Sequence, residues 1–141
     1  MVVTNLLTDN LFPSNIHGLL RTISRAGFFD RSVMIGSWVM LVYQELYGMM
    51  DFSDVAELDG FAIRFPVPEA YFLHKLIIAR KRQSGAKRGK DLEQCTVIMQ
   101  IINDERMLQV TQAQRFGKET RRHIAASCDA IGFPLHRIGL S

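Results

Sequence analysis

Residues 68–95 read PEAYFLHKLIIARKRQSGAKRGKDLEQC, and this stretch decides the fold. Pro68 sits where a proline opens a helix, since its fixed φ suits the first turn and its missing N–H has no partner there. The apolar run that follows predicts a helix over 69–82, interrupted at its middle by Lys75. Glycines and cations at 83–89 read as a loop, and Leu92, Cys95, Thr96, Met99 and Ile102 form the stripe of a second helix over 91–102. The two helices make a hairpin with its bend near residue 83. Lys75 and Asp91 each lie about eight residues from that bend, and at about 1.5 Å of rise per residue they return to one level. Lys75 shares its stripe with Phe72, Ala79 and Arg82, so it leaves the helix near the buried side. Asp91 at a helix start is also explained by capping and by the helix dipole.

The rest of the chain is read outward from this hairpin. Pro13-Ser14-Asn15 marks a helix start, Ile16, Leu19, Leu20 and Ile23 recur at helical spacing, and Gly27 ends the run. Ser32 to Ile35 reads as a short buried strand that breaks at Gly36-Ser37, with a helix from Trp38 to near Gly48. Residues 49–60 read as an acidic connection, and Phe61 to Phe65 as a second strand closed by Pro66 and Pro68. Shorter helices are expected at 105–114 and 118–131. Two strands and five or six helices predict an α+β domain, more helix than strand, occupying 1–141 as one unit with its helical part from about 68.

With 141 residues and 48% apolar side chains, the chain is long enough to bury a core and too apolar for disorder. The net charge of +3 is mild and neither demands nor excludes an anionic partner. Cys95 and Cys128 lie far apart with no cysteine or histidine at metal-ligand spacing, which points to reduced buried thiols rather than zinc. The first residues have no basic segment or cleavage site of a signal peptide, and Val33 to Tyr43 is too short to span a bilayer. A cytoplasmic protein without membrane association is expected.

Two features can carry chemistry. A strand running into Gly36-Ser37 at a helix start exposes backbone N–H groups that suit an anion, and it also reads as an ordinary capped turn. The hairpin aligns Lys75 with Asp91. Three segments in this order, Ile35-Gly36-Ser37-Trp38, then Pro66 to Leu76, then Lys87-Arg88-Gly89-Lys90-Asp91-Leu92, resemble the nucleotidyltransferase superfamily. The likeness is to bacterial nucleotidyltransferase-like proteins and the abortive-infection toxin nucleotidyltransferases. It implies a small mixed sheet with flanking helices, binding a nucleoside triphosphate with magnesium. By the resemblance Gly36, Ser37, Lys75 and Lys90 contact the nucleotide, and Asp91 is an auxiliary catalytic acid or base. Asp51 and Asp54 are the candidate magnesium ligands, with Asp51 also catalytic.

The carboxylate pair departs from the family pattern. The family has two acids separated by one residue on a strand, whereas here Ser53 stands at the second place and Asp54 follows it. On a strand Asp51 and Asp54 would face opposite sides. An intact magnesium site therefore requires a loop conformation there. The alternative is a catalytically degenerate module on the same scaffold, using the cations of Arg80 to Lys90, with Arg115, Lys118, Arg121 and Arg122, for RNA or DNA or for a protein partner.

Overall fold

The computed structural model describes residues 5–30 and 53–140. The expected strand at 32–35 and the helix at 38–48 lie outside the described residues. Two compact units divide between Val67 and Pro68, where the sequence turns from strand to helix.

Among the described residues the first unit holds a three-stranded mixed sheet and one α-helix. β1 (Asn5–Leu7) pairs parallel with β2 (Ser53–Leu58), and β2 pairs antiparallel with β3 (Phe61–Pro66). The register sets Ala56 opposite Ile63 and Leu58 opposite Phe61, so one sheet face carries apolar side chains at every second position. Ala56, Leu58, Phe61, Ile63 and Phe65 are all buried. The 49–60 stretch is thus no plain connection: its second half is β2. The turn Asp59-Gly60 joins β2 to β3 with φ of 46° and 75°. A two-residue hairpin loop with both φ positive is the turn whose twist matches its strands, and Asp-Gly is one of its preferred sequences.

Between β1 and β2 the chain forms α1 (Ser14–Arg25) and a 3₁₀ turn, Phe28–Asp30. α1 ends as Gly27 takes a φ of 80° and its N–H bonds Ser24 O at 2.9 Å. Leu20 and Phe29 are buried. Polar contacts fix α1 to the hairpin: Ser24 Oγ donates to Ala62 O, and the His17 ring meets Phe61 edge-on at 5.4 Å between centroids. Arg64 Nε donates to Phe29 O at 2.9 Å.

The second unit is helical: α2 (Pro68–Lys81), α3 (Gly85–Ile98), α4 (Asp104–Gln112) and α5 (Lys118–Ile131), then a 3₁₀ turn at Leu135–Ile138. α2 packs against α3, α4 and α5. That position explains its composition, because a helix buried on several sides carries no single apolar stripe. Phe72, Leu76 and Ala79 of α2 are buried, as are Cys95, Met107, Ile124 and Cys128 of its neighbours. Ser127 Oγ donates to Leu76 O at 2.6 Å, pinning α5 to α2. At the end of α5, Gly132 adopts φ 71° and Phe133 N–H bonds Cys128 O at 2.9 Å, the left-handed stop that glycine permits.

The helix-rich α+β class and the small mixed sheet agree with the sequence reading. The bounds of α3 do not. The expected loop at 83–89 shrinks to Arg82–Ser84, and α3 begins at Gly85 rather than Asp91, ending at Ile98. Ser84 caps it, its hydroxyl accepting from Lys87 N–H at 3.4 Å. Among the described residues no helix is long and apolar enough to cross a membrane.

Candidate functional site

The α2–α3 hairpin brings together a lysine, an arginine and an aspartate. Lys75 Nζ donates to Asp91 Oδ1 at 2.8 Å, and Arg82 Nε donates to Asp91 Oδ2 at 2.8 Å. One carboxylate therefore spans two cations, one oxygen to each. Lys75 is 8% exposed and Asp91 4%. Charges so far from water persist only when paired and hydrogen-bonded. The Lys75 ammonium also lies 5.3 Å from the centre of the Tyr71 ring, a cation–π contact that adds a further favourable electrostatic partner.

The local sequence explains the geometry. Asp91 lies nearly two turns into α3, not at a helix N-terminus, so neither capping nor the helix dipole explains it. It is the pairing with Lys75 and Arg82 that holds it in place. Arg88 closes the other end of the hairpin: its Nε donates to Ala79 O at 3.2 Å and its Nη2 to Arg82 O at 3.0 Å. Ala79 lies in the last turn of α2 and Arg82 just beyond it, and a cation suits the carbonyls at a helix C-terminus.

Electrostatics follow from the packing. Burial alone would raise the Asp91 carboxyl, but the hydrogen bonds from Arg82 and Lys75 and their charges outweigh it and hold it below its ordinary range. Burial, with the Asp91 charge as the next cause, pushes the Tyr71 hydroxyl up to about 12. Burial also pushes the Cys95 and Cys128 thiols up to about 12, so both stay protonated and unreactive. A second buried acid, Glu69, begins α2. Its Oε1 receives Arg106 Nη1 at 3.3 Å and Asn103 N–H at 3.4 Å, while Oε2 has no partner, and burial raises its carboxyl.

Of the residues singled out by sequence, the structure joins Lys75 and Asp91. Lys90 is exposed on α3. Gly36, Ser37 and Asp51 lie outside the described residues, and Asp54 is placed as a backbone position of β2 opposite Phe65. Among the described residues no group of three or more His, Cys, Asp or Glu side chains could hold a metal ion. Sequence reasoning missed Arg82 as the second partner of Asp91, though the nine-residue spacing across a tight hairpin carried that signal. It also missed the buried Glu69 and its pairing with Arg106.

The basic segment divides in two. Arg80 Nη2 donates to Ala126 O at 2.8 Å, and Arg82 and Arg88 are bound as above, so three of its cations work within the fold. Lys81, Lys87 and Lys90 are exposed.

No curated protein and no solved structure matches the chain. Residues 52–116 match the model of a family described as nucleotidyltransferase, a stretch that runs from β2 through α4 and holds the whole Lys75–Arg82–Asp91 cluster. Over residues 52–116 the chain is similar to that nucleotidyltransferase family.

Proposed function

We propose that the protein binds a nucleoside triphosphate and transfers a nucleotidyl group to an acceptor. The observation that supports this most is the family match enclosing the Lys75–Arg82–Asp91 cluster. Phosphoryl-type transfer needs positioned positive charge more than covalent chemistry, and two cations held to one carboxylate are a preorganised source of it. In this reading Lys75 and Lys90 contact the triphosphate together with Gly36 and Ser37. Asp91 fixes the orientation of Lys75 and Arg82 and serves as the auxiliary acid or base. Asp51 and Asp54 are the candidate ligands of a magnesium ion, which would neutralise phosphate charge.

Calorimetric titration with ATP, GTP, CTP and UTP, with and without magnesium, tests binding. Transfer is followed by release of pyrophosphate. Asp51→Asn should lower transfer by orders of magnitude with folding unchanged, and full activity in that variant would remove Asp51 from the reaction. Lys75→Gln should chiefly weaken triphosphate binding.

A second reading is favoured by the exposure of Lys81, Lys87 and Lys90 near the hairpin bend: a non-catalytic module holding RNA or DNA. Its binding would fall steeply with salt, since each neutralised phosphate releases counterions, and replacing the three lysines by glutamine would flatten that slope. Triphosphate binding that is indifferent to magnesium, with no transfer, would favour this module.

A further inference from the structure

Beside α1 lies a cavity of about 380 Å3 whose walls include Asp9, Asn10, Ser14, His17, Gly18 and Arg21. All of these precede the stretch matched by the family, and none belongs to the Lys75 cluster.

His17 and Arg21 stand one helical turn apart and converge on a single oxygen. Asp59 Oδ2 lies 3.2 Å from His17 Nε2 and accepts a hydrogen bond from Arg21 Nη2. The two side chains thus already hold an oxyanion, supplied by the turn between β2 and β3. The hold is exchangeable: Asp59 is exposed, and an exposed ion pair contributes little because water solvates both charges almost as well. Arg21 Nε is buried and has no hydrogen-bond partner, leaving a donor for a second oxygen of a planar or tetrahedral anion. Gly18 leaves its part of the cavity wall open, since a Cβ there would meet nothing within 4 Å.

The remaining walls narrow the ligand. Asp9, Asn10 and Ser14 offer a carboxylate, an amide and a hydroxyl, groups that accept from and donate to alcohols. The Asp9 carboxylate also repels a small, densely charged anion. A phosphate ester of a polyhydroxylated compound satisfies both ends, whereas free phosphate satisfies one. We propose that this cavity is a sugar-phosphate site, with the phosphate on Arg21 and His17 in place of Asp59 and the hydroxyls toward Asp9, Asn10 and Ser14.

The test is a nuclear magnetic resonance titration of the full chain with ribose 5-phosphate, and in parallel with inorganic phosphate. The proposal expects saturable shifts at Ser14, Gly18 and the Arg21 Nε–H, with the sugar phosphate tighter than inorganic phosphate. Arg21→Gln should weaken binding about tenfold, the loss of a charge-assisted hydrogen bond. Asp59→Asn should tighten it, because the internal competitor loses its charge. An absence of saturable shifts at α1, equal affinity in Arg21→Gln, weaker binding in Asp59→Asn, or inorganic phosphate bound as tightly as the ester would each overturn it. Lys75→Gln should leave the titration unaltered, so the nucleotide reading can fail while this site stands, and the reverse.

Discussion

Lys75 and Asp91, sixteen residues apart in sequence, meet at 2.8 Å across the α2–α3 hairpin, and Arg82 takes the other oxygen of the same carboxylate. Removing one member of such a buried group leaves charge without a partner. Asp91→Asn should therefore destabilise the protein by about 3 kcal/mol or more in urea unfolding. Lys75→Met should cost clearly less in the Asp91→Asn background than in the unmodified protein. Additive costs would show that the two side chains are energetically independent.

The two buried acids give opposite pH dependences. The Asp91 carboxyl is held low in the folded state, so its contribution is present above the unfolded value of about 4 and is lost as pH falls through the folded one. Glu69 is raised, so its contribution is full below its unfolded value and declines as pH rises through the folded one. Glu69→Gln should accordingly compare more and more favourably with the unmodified protein as pH rises from about 4 toward neutrality. Asp91→Asn should compare more favourably as pH falls. Unfolding free energies measured at several pH values for both variants check the two signs.

Two glycines should respond oppositely to alanine. Gly60 has φ 75° in the turn between β2 and β3, and a Cβ would meet nothing, so Gly60→Ala should cost about 1 kcal/mol from backbone conformation alone. Gly89 lies inside α3 in open space, and Gly89→Ala should add about 0.5–1 kcal/mol of stability. Thermal or urea midpoints separate the pair.

Cys95 and Cys128 are buried thiols pushed up to about 12. Neither should react with a thiol reagent at neutral pH unless the helical unit opens, and both should react once it is unfolded in urea. Rapid labelling of either thiol in the native protein would contradict their placement in the core.

How much of this was legible depended on whether a signal was local. The helix periodicity of Ile16, Leu19, Leu20 and Ile23, the stop at Gly27 and the opening proline at 68 each act within one or two turns, and α1 and the start of α2 follow from them. Lys75 and Asp91 stand level because helical rise carries both arms away from the short bend at Arg82–Ser84; the sequence located the bend near 83 but not the helical residues 85–90 that the levelling needs. Asp59-Gly60 held a hairpin signal as well, yet the acids around it masked β2.

What the sequence alone could not decide are the matters settled by distant partners. Residues 85–90 carry two glycines and three cations and no apolar stripe, so their local preference is for a loop. They are helical because Ser84 caps them and Arg88 reaches back to the carbonyls of Ala79 and Arg82, contacts that exist only once the hairpin closes. β1 becomes a strand through a parallel pairing with residues some fifty positions away, Asn5 with Ala56. The same holds for charge. Asp91 looks like a helix cap in sequence, and only packing turns it into the shared partner of Lys75 and Arg82, because an ion pair stays buried when the chain brings both signs to one place.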